Sequence, residues 1–225
     1  MKPEIILLIS AACIFLTCTA YVVYLIVSLF YMQFKIEKYP KLVKIINDVV
    51  DDILKTEKIH LFLKSYEELN EGLEEEEHVV GRYVFILDDK RQQELNEILL
   101  KVESLEKQYK MPLDKMNTLT GNNLNKEDFA FPHILLLETL KDNSGLKWHY
   151  HTMFHELGHH FAIKDLKDKQ TEQDADKYGK KIIKEKLPLF CYYIIPFREK
   201  GIRGLSLKEH IKANIQFLRF YTNRK

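Results

Sequence analysis

Hydrophobic residues are distributed along this chain in a changing rhythm, and each rhythm predicts an element. Ile5 to Phe34 is a run of thirty residues without one charged side chain, bounded by Glu4 and Lys35. Beyond it the pattern becomes periodic. Leu42, Ile45, Ile46, Val49, Ile53 and Leu54 repeat at helical spacing, predicting a helix over Lys41 to Lys55. Short apolar runs at Ile59 to Leu63, Val79 to Leu87 and Phe131 to Leu137 read as strands. Between them, Glu67 to Glu77 reads as an acidic solvated loop, and positions 95, 98, 99, 102, 105 and 109 give Asp88 to Lys110 a helical stripe. Met111 to Asp128, polar and Asn-rich, is expected to be a surface excursion. Phe154, Leu157 and Phe161 predict a helix over Lys147 to Ile163, with Asn143, Ser144 and Gly145 offering turn and cap chemistry before it. A further helix is predicted from Thr171 to Lys186, packed through Ala175, Tyr178, Gly179, Ile182 and Ile183, with Thr171 and Asp174 as a capping pair. Leu187 to Phe197 is too short to span a bilayer and reads as a core strand or helix. Ser206 and Glu209 cap a last helix, whose Ile211, Ile215 and Leu218 are expected to pack inward.

The long uncharged run exceeds, at about 1.5 Å per residue, a hydrocarbon core of about 30 Å, so 5–34 is expected to be one uncleaved transmembrane helix in contact with the lipid bilayer. Tyr31 and Phe34 are expected among its interfacial aromatics. Only Lys2 precedes the run, whereas Lys35, Lys38, Lys41 and Lys44 follow it; this bias predicts a single-pass protein with its C-terminal part in the cytoplasm. Of three cysteines, Cys13 and Cys18 lie in the run, so Cys191 has no partner for a disulfide in the remainder. The expected division is an anchor over 1–38 and one domain over 39–225. The formal net charge is +1, and no basic patch interleaves with aromatics, which speaks against nucleic acid as a partner.

The chemistry is concentrated at His155-Glu156-Leu157-Gly158-His159. Two histidines four apart lie about 40° apart around a helix, so both imidazoles can reach one metal ion. Glu156 stands where a carboxylate can take a proton from metal-bound water. Gly158 costs about 1 kcal/mol of helix propensity against alanine, tolerable where another element crosses closely. A catalytic zinc site needs a third protein ligand and an open position. Glu172, in the first turn of the following helix, would face the histidine pair, and Asp176 one turn later can take a hydrogen bond from a ligand histidine's other ring nitrogen. His149 and His151 are expected to support the site from outside or to be solvated, and His160 to be partly exposed.

His155-Glu156-x-x-His159 followed by Glu172-x-x-Ala175-Asp176 resembles the third-ligand arrangement of gluzincin metallopeptidases, most of all the ImmA/IrrE-type family. Upstream, Gly81-Arg82-Tyr83 in its β-type run and the strand before the active-site helix extend the likeness; Tyr178-Gly179 stand where that family tends to show Phe-Ala. The resemblance implies one catalytic Zn2+ on His155, His159 and Glu172, with Glu156 as general base and Asp176 supporting a ligand. It also implies a tyrosine or histidine steadying the oxyanion, for which Tyr178, Tyr193 and His210 are candidates. The expected fold is α+β: a zincin-like domain with a small mixed sheet beside an active-site helix pair, preceded by the transmembrane helix. The expected function is a membrane-anchored zinc metalloendopeptidase acting on a protein or peptide, with a zinc-binding sensor or binding module without turnover as the alternative.

Overall fold

Three short strands and a set of helices follow from these patterns. The structure is a computed structural model and describes residues 10, 14, 15, 18, 19, 31, 33–74, 77, 79–85, 89–120, 124–138, 145–197 and 205–222. Most of the uncharged run 5–34, and with it the expected transmembrane helix, lies outside the described residues. Among the described residues no helix is long and apolar enough to cross a membrane.

Helix α1 (Pro40–Glu57) begins on a proline, whose fixed φ suits the first helical turn, and stops at Lys58 in the left-handed region. It buries Leu42, Ile46, Val50 and Ile53, one stripe at spacings of three and four. Strand β1 (His60–Lys64) follows, then α2 (Tyr66–Leu69). This one-turn helix occupies the start of the expected acidic loop because Ser65 and Glu68 form a capping box. Strand β2 (Gly81–Val84), α3 (Asp89–Tyr109), α4 (Leu113–Thr120) and β3 (His133–Leu137) come next. Thus the expected excursion over 111–128 carries a helix of its own. On α3 only Leu99 and Val102 of the expected stripe are buried, while Ile98, Leu105 and Tyr109 are exposed.

The sheet has the order β1–β3–β2 and is mixed. β3 runs parallel to β1, pairing His133 with His60, and antiparallel to β2, pairing Leu136 with Gly81. Central β3 is the most apolar strand, with Ile134 and Leu136 fully buried. Among the described residues β2 pairs with β3 alone, and it lies beside the long helix α5 (Leu146–Leu166).

α5 is enclosed on several sides, burying Leu146, Tyr150, Met153, Phe154 and Leu157 together with Thr152, Glu156 and His160. Its first turn is not capped by a local side chain; Gly145 takes φ 77° and the Leu146 N–H donates to Glu37 Oε1 at 2.7 Å. Asn143 and Ser144 lie outside the described residues. After a 3-10 turn at Lys167–Lys169, α6 (Glu172–Lys186) starts from the expected Thr171–Asp174 capping box. The apolar segment that follows becomes α7 (Cys191–Ile194), with Leu189, Phe190, Cys191, Ile194 and Ile195 all in the core.

The last helix, α8 (Leu207–Thr222), corrects the expected facing. Ala213 and Phe217 are buried, whereas Ile211, Ile215 and Leu218 are exposed. A helix with apolar residues on two sides has no facing that periodicity alone can decide, and Phe217 wins through aromatic packing: its ring lies 4.8 Å from Tyr31, 5.4 Å from Phe34 and 5.7 Å from Phe190. The same cluster corrects the interfacial role expected of Tyr31 and Phe34. Both are buried, and Tyr31 donates its hydroxyl to Asn214 Oδ1 at 2.9 Å.

Candidate metal centre

The site exists because α5 and α6 cross very closely, and two glycines permit it. A Cβ on Gly158 would overlap the carbonyl oxygen of Ala175, and one on Gly179 would lie 2.5 Å from that of Phe154. Each helix thus presses its backbone on the other where it has no side chain. The crossing brings the first turn of α6 over the His155–His159 face of α5.

Glu172 reaches both imidazoles. Its Oε2 is 3.0 Å from His155 Nε2, and its Oε1 is 3.5 Å from His159 Nε2. One nitrogen or oxygen from each of the three lies within 4.8 Å of the others, a group able to hold a metal ion. Tetrahedral ligands about 2.0–2.1 Å from a common centre stand about 3.3 Å apart, so the donor set and its spacing fit a small divalent cation. Both histidines are half-buried, while the Glu172 side chain is 75 % exposed, so the group opens to solvent on that side.

The far nitrogens are held. His155 Nδ1 lies 2.8 Å from Asp176 Oδ1, and His159 Nδ1 lies 3.2 Å from Gln170 Oε1. With the proton on Nδ1 in each ring, Nε2 keeps its lone pair toward the shared centre. Burial opposes a charge on His155, but the Asp176 hydrogen bond and the carboxylates of Glu156, Asp176 and Glu172 raise its pKa overall. His159 moves the other way, lowered by burial and by the neighbouring His155. Asp176 is itself almost fully buried; burial raises its pKa, yet the bond to His155 leaves it below the ordinary value.

Glu156 is buried at 5 % exposure, on the side of α5 that meets β2. Burial chiefly, with the Glu172 charge adding, pushes its carboxyl up to about 7; the His155 charge and a hydrogen bond from the Tyr83 N–H pull against that. Gly81 makes the approach possible, since a Cβ there would overlap Thr152 and come 2.9 Å from Glu156 Oε1. Beneath the site His160 is buried, not partly exposed as expected, because it is a structural link: Nδ1 lies 2.8 Å from the Tyr83 hydroxyl and Nε2 lies 3.2 Å from Glu57. This chain fastens β2, α5 and α1 together. His151 is half-buried, its ring 6.0 Å from that of His155 and 5.0 Å from Phe197.

The five residues expected at the centre, His155, Glu156, His159, Glu172 and Asp176, are therefore brought together. Of the three candidates for steadying an oxyanion, the Tyr178 hydroxyl bonds Asp165, and the Tyr193 hydroxyl bonds His210. Gln170 and the Tyr83 N–H were not singled out from sequence. A glycine inside a strand was the available signal for the second, since it marks close backbone approach. Gln170 has no such signal; it acts only because the turn after α5 ends beneath His159.

Comparison of the chain with family models, with curated proteins and with solved structures gives no match.

Proposed function

We propose that this chain is a membrane-anchored zinc metallopeptidase that hydrolyses peptide bonds. One observation carries the reading: a buried carboxyl, Glu156, sits next to a two-histidine, one-carboxylate group, where a general base must stand to take a proton from water at the centre. A site that only stabilised the fold would have no use for such a group. The likeness of His155-Glu156-x-x-His159 and Glu172-x-x-Ala175-Asp176 to gluzincin peptidases supports the same conclusion. The donor set suits zinc, held by His155, His159 and Glu172. When bound, the ion supplies a Lewis acid that acidifies water and polarises a carbonyl.

The chain's own residues supply the rest. Glu156 takes the proton of the attacking water and delivers it to the leaving amine, while the Tyr83 N–H holds its carboxylate toward the site. Asp176 and Gln170 fix the two imidazoles. β2, which among the described residues pairs with β3 alone, runs beside Glu156, and the part of its outer edge not taken by the Tyr83–Glu156 bond can receive an extended substrate segment by strand addition. The part of the uncharged run that precedes the buried Tyr31 anchors the domain, and the lysines after the run favour the cytoplasmic side.

The test compares Glu156→Gln with His155→Ala, reading metal content by elemental analysis and cleavage of a peptide library by mass spectrometry. The Gln variant is expected to keep stoichiometric metal and lose cleavage; the Ala variant loses both. Undiminished proteolysis by the Gln variant would end the mechanism, and a native chain purified without metal that fails to take up zinc would end the site.

A further inference from the structure

The outward face of α8 carries an arrangement that the metal centre does not use. With Leu207 at zero and about 100° per residue, Leu218, Ile211 and Ile215 fall at about 20°, 40° and 80°, and Lys208, Arg219 and Lys212 at about 100°, 120° and 140°. The buried Ala213 and Phe217 lie opposite, at about 240° and 280° by the same reckoning. The apolar four are exposed to the extent of 77 % for Leu207, 54 % for Ile211, 44 % for Ile215 and 60 % for Leu218. The exposed arc thus holds an apolar stripe flanked on one side by a basic one, and it contains no acid; Glu209, outside the arc, faces Lys184 at 3.1 Å.

The stripe lies next to the place where the N-terminal apolar run enters the fold. Tyr31 bonds Asn214, which falls at about 340° on α8, adjoining the apolar edge of the arc. Its ring packs on Phe217 and, at 4.8 Å, on Tyr193, and its carbonyl accepts from Lys147 Nζ at 2.9 Å. Tyr31, which the uncharged run leads into, is therefore held against α8 beside the apolar edge of the stripe.

We propose that α8 lies on the surface of a phospholipid bilayer bearing anionic headgroups, with Leu207, Ile211, Ile215 and Leu218 entering the headgroup–acyl boundary and Lys208, Lys212 and Arg219 reaching the phosphates. An apolar stripe with a cationic border on a helix parallel to the membrane is the arrangement that gains from both environments. Long basic side chains at the border keep their stems on the apolar layer and their charges in the headgroups. A nucleic acid would leave the apolar four facing a polyanion. This docking rests on the proposed anchoring of the run before Tyr31, because a tether ending there holds α8 at the membrane; it also fixes how the metal centre is oriented above the bilayer.

The full chain, with Cys13 and Cys18 changed to Ser and Cys191 left buried, is spin-labelled at Ile211→Cys, at Ile215→Cys or, as a control on the exposed side of α1, at Asp51→Cys. It is then reconstituted in phosphatidylcholine vesicles with and without phosphatidylserine. In the phosphatidylserine vesicles the labels at 211 and 215 are expected to collide preferentially with lipid-soluble oxygen, and the label at 51 with a water-soluble nickel chelate. The triple change Lys208→Glu, Lys212→Glu, Arg219→Glu is expected to return the label at 211 to water. Labels at 211 and 215 that prefer the nickel chelate in both vesicle types overturn the proposal. So does shielding from both reagents, which would mean that a second copy or the chain's own apolar run covers the stripe. Whether the chain stays with the vesicles through an alkaline carbonate wash reports on the anchor separately; if it is stripped, the anchor reading fails and the collision ratio still decides α8.

Discussion

The two histidines proposed as ligands differ in what secures them, and that difference sets what each can lose. His155 leans on Asp176, a nearly buried charged acceptor at 2.8 Å; His159 leans on Gln170, a neutral one at 3.2 Å. Charge-assisted bonds are shorter and stronger, and supporting groups of this kind are worth about 10- to 100-fold in metal affinity. Asp176→Ala is therefore expected to weaken zinc binding by roughly that factor, and Gln170→Ala by less, as read by competition with a chelator. Equal losses would show that charge on the supporting group does not matter here. Glu156 allows a second prediction, made for the metal-free protein. Its folded pKa, about 7, lies above its ordinary 4.5, so between those values the folded state holds a proton that the unfolded state has lost. Stability then falls as pH rises through that window. Glu156→Gln removes the titration, so it is expected to be the more stable form above neutrality, by up to about 3 kcal/mol, with the gap closing toward about pH 4.5. Thermal melts of both proteins across pH, in the presence of chelator, check the sign; a gap that widens on acidification contradicts it.

At the scale of elements, the crossing of α5 and α6 is what turns a sequence pattern into a site. His155 and His159 share a face by helical geometry alone, and Thr171 with Asp174 marks the start of α6, so the pairing of Glu172 with them was legible. The closeness was legible only as an allowance, in the small residue at 158. Its partner Gly179 read merely as part of a packed face, because what it meets, the Phe154 carbonyl, belongs to a backbone far away in sequence. Likewise Glu37 caps α5 from more than a hundred residues away, and no local signal could announce that. The facing of α8 is hidden from its own sequence for a related reason: Phe217 is chosen by rings from distant segments, not by its own helix. Gly158→Ala and Gly179→Ala each force the two backbones apart. Overpacking of this kind costs about 1–3 kcal/mol, and here it should also separate Glu172 from the histidines. Both variants are expected to melt earlier and to bind zinc more weakly than the loss of stability explains. Alanine at either position with native zinc affinity would show that the crossing is looser than its geometry implies.

Across the whole molecule, the core is closed by residues that precede α1. Tyr31, Phe34 and Ile36 are buried among Tyr39, Phe217 and the segment around α7, and Glu37 holds the first turn of α5. The compositional change at Lys35 suggested a boundary near there because charge begins at that point, yet packing does not follow charge. Each buried large apolar side chain is worth about 1.5–3 kcal/mol, against a total stability of about 5–15 kcal/mol for a domain. Removing Tyr31, Phe34 and Ile36 together therefore takes away a sum comparable with the whole. Loss of the whole segment before α1 also leaves the Leu146 N–H without its Glu37 acceptor. A chain beginning at residue 31 is accordingly expected to melt cooperatively and to bind zinc like the full chain in detergent. A chain beginning at residue 40 retains every proposed ligand but is expected to lose cooperative melting and most of its metal affinity. Circular dichroism melts and chelator competition on the two truncated chains decide the matter. If the shorter one melts with the longer, the aromatic cluster is a surface attachment, and the core of α1, α5, α6 and the sheet is self-sufficient.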